Sequence, residues 1–210
     1  MNELVLYHGS KTGIKGDVAP ISRDKCDFGK GFYMGTEKLQ PLTLVCSYES
    51  AVLYTLHFSL DGLKMLEIPL GIDWALFIAY NRGLLDYAKN SNLYKKMQSY
   101  AKDYDVVKGY IANDRMFVVL DRFFNGTITD TALVECLSAL KLGEQYVALS
   151  TKACAKVKIV QAEKLSQKYK NELLEKSAEN REKGVSLAEE ICRKHRRDGM
   201  FFDEILENAK

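Results

Sequence analysis

The sequence predicts an α+β protein, on three observations. Short β-type runs cluster before residue 70 and again near residues 105–111 and 145–160, without a regular strand–helix–strand alternation. Apolar residues at helical spacing fill the stretch between them. From about Glu163 onward the composition changes to dense, balanced charge. The expected organisation is one domain over residues 1–162, a helical insertion at about 72–142, and a charged helical extension over 163–210.

Each element has its own signal. Leu4 to Tyr7 is an apolar run that ends at His8-Gly9-Ser10, a strand entering a loop. Residues 11–28 carry Gly13, Gly16 and Pro20 and read as that loop. Gly31 to Met34 is a second short strand between Gly29 and Gly35. Glu37 to Ser50 reads as a helix with Pro41 in its first turn. Ala51 to Leu60 alternates as a strand, and Leu63 to Ile68 reads as its return. Trp74 to Arg82 and Leu93 to Tyr104 show helical spacing, with Trp74, Phe77 and Ile78 as core and Asn81-Arg82 as a plain helix end.

Asp105 to Ile111 is the next strand. Arg115 to Phe124 is a helix that stops near Asn125-Gly126, and a further helix starts at Thr129, with Leu133, Leu137 and Leu140 along one face. Gln145 to Leu149 and Val157 to Val160 complete the sheet. Residues 163–210 hold 11 Lys+Arg and 11 Asp+Glu. They read as a charged helix, a break at Gly184, and a second helix capped by Ser186 with Glu189 in the capping-box position. Arg193 to Arg197 is basic, as suits a solvated helix end. Met200, Phe201, Phe202, Ile205 and Leu206 form a short apolar stripe that docks either on the same chain, the expected arrangement, or on another protein.

Composition excludes several function classes. A net charge of +2 is too even for general nucleic-acid or membrane binding. The five cysteines are scattered and odd in number, which fits free thiols in a reducing cytoplasm. The three histidines lack metal-ligand spacing, so no metal is expected. The N-terminus lacks a signal-peptide pattern and no run reaches the length of a membrane span, so the expected location is cytoplasmic.

Three segments carry candidate chemistry. The first is Leu6-Tyr7-His8-Gly9-Ser10. The second is Asp27-Phe28-Gly29-Lys30-Gly31-Phe32-Tyr33, whose glycines permit close backbone approach but do not make a Rossmann phosphate loop. The third is Gly143-Glu144-Gln145-Tyr146 at the head of a late strand, which either points a polar side chain into a cleft or ends a connecting loop. Singly, each reads as ordinary loop or strand-edge chemistry.

In this order, however, they resemble the poly(ADP-ribose) polymerase-like ADP-ribosyltransferases. That family carries His-Gly-Ser after its first strand, Phe-Gly-x-Gly-x-Tyr at its second, and a third signature residue, often Glu before Tyr, opening a late strand. The counterparts are His8-Gly9-Ser10, Phe28 to Tyr33, and Gln145-Tyr146. The chain looks nearest to a little-characterised bacterial branch with an H-Y-Q-type triad, through Asp27 to Tyr33 and Ile111 to Arg115.

The resemblance implies split antiparallel or mixed sheets and NAD as a substrate. It implies that His8, Gly9, Ser10, Gly31, Phe32 and Tyr33 bind NAD, with His8 on a ribose hydroxyl, Gly9 on the carboxamide, Ser10 on the adenosine-side ribose and Tyr33 stacked on nicotinamide. Arg23 either meets the pyrophosphate or adenine ribose or is a plain surface arginine. The catalytic set would be His8, Tyr33 and Gln145. An amide at Gln145 orients a hydroxyl but supplies no charge and no base. On that term alone the chemistry slows by about ten- to thirtyfold relative to a carboxylate.

Mono-transfer to an unknown macromolecular or small acceptor is therefore expected rather than chain elongation. Water as acceptor (an NAD glycohydrolase) and a non-catalytic NAD or ADP-ribose reader are the alternatives. Asp114, Arg115 and Glu144 are acceptor-side candidates. Asp114 reads in the first place as a helix cap, and Glu144 on a strand faces away from Gln145. Compact bacterial proteins of this type are often toxins or effectors held by a neutralising protein partner.

Overall fold

The computed structural model describes residues 3–111, 114–139 and 143–208, excepting the side chains of 114–117, 177, 180 and 181. Seven strands form one mixed sheet: β1 (Glu3–Ser10), β2 (Phe32–Gly35), β3 (Val52–Ser59), β4 (Met65–Glu67), β5 (Val106–Tyr110), β6 (Glu144–Ala148) and β7 (Val157–Lys164). Their order is β4-β5-β6-β2-β1-β3-β7. The α+β class therefore holds.

The sheet is nearly two sheets. β1 pairs with β3 through eight residue pairs, from Glu3–Ser59 to Ser10–Val52. It pairs with β2 only at Tyr7–Gly35. On the other side β2, β6 and β5 form an antiparallel ladder. The β1–β2 seam is thus one residue wide, and β1 beyond Tyr7 diverges from β2.

β4 differs from the expected return strand of β3. It pairs in parallel with β5, Met65 opposite Val106. Parallel neighbours need a long crossover, and α2 (Ile72–Asn81) with α3 (Asn92–Ser99) provides it.

Hydrophobic alternation sorts the core to the two faces. On one face Val107 and Val147 pack under Trp74, Phe77, Leu120, Phe123 and Leu133 from α2, α4 (Asp114–Phe124) and α5 (Asp130–Ala139). On the other, Leu6, Phe32, Met34, Leu56 and Phe58 pack with Val106 and Tyr146. Trp74 is wholly buried, as expected, and its Nε1 donates to the Tyr110 carbonyl at 3.1 Å. α1 (Leu39–Val45) is shorter than the sequence predicts and packs directly on β1. A Cβ at Gly9 would stand 2.5 Å from the Pro41 carbonyl oxygen, so only glycine admits this contact. A short α6 (Thr151–Cys154), capped by Ser150, was not foreseen.

The expected break at Gly184 is absent. α7 runs unbroken over Gln167–Lys194, and Ser186 lies inside it, its Oγ donating to the Glu182 carbonyl at 3.1 Å rather than capping a new helix. A glycine costs a helix interior about 1 kcal/mol, and tertiary packing overrides that cost here. Gly184 and Ala188 are buried, and Ala188 and Cys192 meet Cys136 of α5. Small residues at every fourth position let the two helices approach closely.

The C-terminal stripe docks on its own chain as α8 (Phe202–Asn208). Phe202 sits edge-on to Phe123 and Phe124 at 5.4 and 5.3 Å between ring centroids. The Met200 amide and carbonyl both bond to Asp130 at the start of α5. No helix among the described residues is long and apolar enough to cross a membrane.

This packing sets an expected outcome for residues 163–210. Phe202→Ala should lower stability by about 3–5 kcal/mol, the range for a buried aromatic truncated to alanine. Urea unfolding followed by circular dichroism measures it, and a loss below 1 kcal/mol contradicts the docked arrangement.

Candidate functional site

Where β1 and β2 diverge, a cavity of about 1020 Å³ opens. That is at the top of the roughly 300–1,000 Å³ range typical of small-molecule sites. His8, Gly9 and Ser10 line it from β1, Gly31, Phe32 and Tyr33 from β2 and the turn before it, and Gln145 from β6. The loop 11–31 folds over it and contributes Arg23, Cys26 and Asp27, while Asp121 and Phe124 of α4 form another wall.

His8 spans the seam. Its Nδ1 lies 2.7 Å from the Tyr33 carbonyl oxygen. A carbonyl only accepts, so Nδ1 carries the proton and Nε2 keeps its lone pair. Burial lowers the imidazole pKa, with the Tyr33 carbonyl opposing, so the ring is neutral. Phe32 stacks on it with centroids 4.4 Å apart.

Tyr33 is held at its far end. Its hydroxyl donates to the Gly29 carbonyl at 2.7 Å and accepts from the Phe28 amide at 3.0 Å. Burial pushes its pKa far above the ordinary tyrosine value, so the phenol stays protonated. The loop closes on itself through Ser22, whose Oγ accepts from the Gly31 amide at 3.2 Å. Gly31 is obligatory, because a Cβ there would meet Val147 at 2.5 Å.

Gln145 is 6% exposed and points into the cavity between two glycines. Its cross-strand partners are Gly35 on β2 and Gly109 on β5. Directly opposed residues share a face, so neither neighbour crowds the amide. Gly109 has a second use: a Cβ there would stand 2.7 Å from the Phe28 ring. Phe28 therefore settles on bare backbone and draws the glycine-rich loop down beside Gln145. The amide Nε2 donates to the Tyr110 carbonyl at 3.2 Å, and Gln145 lines the same cavity as the Asp27 carboxylate. A carbonyl only accepts, so the nitrogen faces Tyr110 and Oε1 is the amide's acceptor.

Asp27 and its anchors were not foreseen as site residues. Arg82 donates to Asp27 Oδ1 from Nε at 2.9 Å and from Nη2 at 2.5 Å. Both side chains are under a fifth exposed. Burial pushes the Asp27 carboxyl up from its ordinary range, while Arg82, Arg23 and Gln145 pull it down. Asn81 donates to the Asp27 carbonyl at 3.1 Å. The reading of Asn81-Arg82 as a plain helix end is thus corrected: the end of α2 clamps the loop. The sequence signal available was an aspartate set directly before the aromatic–glycine run.

Of the remaining candidates, Glu144 does not line the cavity and Arg23 does. Glu144 faces away from Gln145, as expected, and pairs with Lys108 at 3.1 Å. Lys108 also pairs with Glu67 at 2.7 Å. Asp114 and Arg115 open α4, and their side chains lie outside the described residues. Arg23 is exposed on the loop at the cavity wall. Among the described residues no group of three or more His, Cys, Asp or Glu is arranged to hold a metal ion.

A family model described as protein of unknown function (DUF3990) matches residues 4–159. No curated protein and no solved structure matches.

The His8 geometry sets a sign. The folded pKa lies below the ordinary 6.5, so the contribution to stability is full above pH 6.5 and is lost as the pH falls toward the folded value. Nitrogen-15 NMR at pH 7 should show Nδ1 protonated and Nε2 bare, with titration below pH 6.5. A titration at or above 6.5 contradicts the buried, neutral ring.

Proposed function

The chain belongs to the DUF3990 family, and we propose that this member is a mono-ADP-ribosyltransferase: it cleaves the nicotinamide–ribose bond of NAD and transfers ADP-ribose to an acceptor. One observation carries the reading. His8, Tyr33 and Gln145, from three segments far apart in the chain, line a single cavity at the seam between two half-sheets. The seam is in keeping with the split sheet of an ADP-ribosyltransferase-like fold.

The groups present suit the chemistry. The bare Nε2 of a neutral His8 accepts a hydrogen bond from a ribose hydroxyl. Gln145 Oε1 accepts from a second hydroxyl. Tyr33 and Phe32 offer aromatic surface to the flat nicotinamide ring. Beyond Tyr7, the edge of β1 carrying Gly9 has no strand on the β2 side, so its backbone is available to a carboxamide. Release of nicotinamide passes through a cationic sugar, and the cavity wall carries a carboxylate, Asp27, to meet that charge. An amide at Gln145 supplies no base, which favours transfer of one unit over elongation. The acceptor is a macromolecule or small nucleophile, and the biological setting we favour is a toxin or effector with a neutralising protein partner.

A second reading, a non-catalytic NAD or ADP-ribose reader, draws on Gln145 being an amide already engaged by the Tyr110 carbonyl. Incubation with NAD labelled in the adenosine half, with and without lysate, separates these. Transfer gives labelled macromolecules and free nicotinamide. A glycohydrolase gives free ADP-ribose only, and a reader binds NAD by calorimetry without releasing nicotinamide. His8→Ala and Tyr33→Ala should each lower nicotinamide release by at least about tenfold, the loss of roughly 1.4 kcal/mol of transition-state stabilisation. Wild-type protein that neither binds nor consumes NAD ends the proposal.

A further inference from the structure

Gln145 leaves the cavity short of a carboxylate at the position where the resemblance expects one, and the fold supplies one from elsewhere. Asp27 lines the same cavity as Gln145 and is held by two Arg82 N–H groups on a single oxygen. Arg82 in turn is fixed at the end of α2, a helix whose residues Trp74 to Ala79 are all buried. A buried carboxylate held by an arginine, on a backbone tied by Asn81 through its carbonyl and by a neighbouring ring packed on Gly109, is positioned far more firmly than a loop aspartate at a surface.

We propose that Asp27 is the catalytic carboxylate of this cavity, replacing in function the glutamate that Gln145 is not, with Arg82 as its positioning residue. The inference rests on the transferase reading. In the step it serves, the bond between the anomeric carbon and the nicotinamide nitrogen breaks, and its electron pair leaves with nicotinamide. The acceptor's lone pair forms the new bond to that carbon. Asp27 stabilises the ribosyl cation between these events and receives the acceptor's proton, which then passes to solvent. One carboxylate thus answers both needs that an amide leaves unmet.

The groups facing Asp27 fix its ionisation. Arg23 and Cys26 stand on its own loop, Tyr33 on β2, Arg82 on α2 and Gln145 on β6, with His8 and Asp121 across the cavity. The two arginines favour the carboxylate and burial disfavours it, which places its titration above that of an ordinary aspartate. Activity should fall on the acid side as Asp27 takes a proton.

The test is an exchange of charge between Asp27 and Gln145, which line the same cavity. Asp27→Asn should lower kcat for nicotinamide release by about a hundredfold or more, the scale of lost general-base catalysis, with NAD affinity within about threefold of wild type. Asp27→Asn combined with Gln145→Glu puts the carboxylate on the other partner and should regain at least about tenfold over Asp27→Asn. A merely structural aspartate predicts no such regain.

If Asp27→Asn fails to fold, the wild-type kcat–pH profile decides. An acid limb must be present, and Arg82→Gln must move it to higher pH. A limb set by His8 stays where it is. Wild-type turnover with full activity in Asp27→Asn, or without an acid limb that responds to Arg82, overturns this inference and leaves the transferase reading standing. Wild-type protein that binds NAD without releasing nicotinamide overturns both.

Discussion

Two adjacent strands, β1 and β2, meet at a single pair, Tyr7 with Gly35, and the site exists because they go no further. Strands that part leave backbone groups without a ladder partner, and such groups must be met in some other way. One of them, the Tyr33 carbonyl, is met by the His8 ring. That bond replaces a rung of the ladder, sets the tautomer and holds the two half-sheets across the gap. The motif histidine is therefore a structural tie and a candidate ligand contact at once. Gly9 extends the same logic on the outer side, where α1 lies against β1 closely enough to exclude any side chain.

The inner wall depends on a different constraint, the burial of a charge. A carboxylate taken out of water needs a partner with good geometry. Asp27 finds it in Arg82, and the carbonyl of Tyr110 completes the arrangement by accepting from both Trp74 and Gln145. A core helix, a glycine-rich loop and a central strand are thereby locked to one another through polar contacts. Phe28 makes this possible, since its ring rests where Gly109 has no side chain. The glycines of the motif and the glycine of β5 are complementary parts of one contact.

The sequence made some of this legible and not the rest, for physical reasons. His8, Tyr33 and Gln145 stand out through the order of three segments that singly read as ordinary strand-edge chemistry, and the structure brings them to one cavity. The α+β class and most elements followed from periodicity. Asp27 with Arg82 was not readable: partners fifty-five positions apart in the chain carry no spacing rule. β4 was placed beside the wrong strand because pairing depends on the crossover that follows it. Gly184 was read as a break because helix propensity is local, whereas the face it packs on belongs to α5. Ser186 and Glu189 matched a capping pattern that a continuous helix leaves unused.

α7 has a consequence of its own. Near its start Leu173 packs with Leu42 and Leu53, in the half of the molecule built on β1 and β3. Near its end Ala188 packs among α4, α5 and α8, in the half built on β5 and β6. The helix is a beam of about 42 Å, at 1.5 Å per residue, pinned at both sides of a sheet that is itself joined by one residue pair. Its length and phase are therefore quantised. Removing one residue between Leu173 and Ala188 shortens the span by about 1.5 Å and rotates one pin by about 100° relative to the other. Substitutions along its exposed faces leave both pins in place, whereas an insertion or deletion displaces one of them, so a segment without any motif is constrained in register rather than in identity.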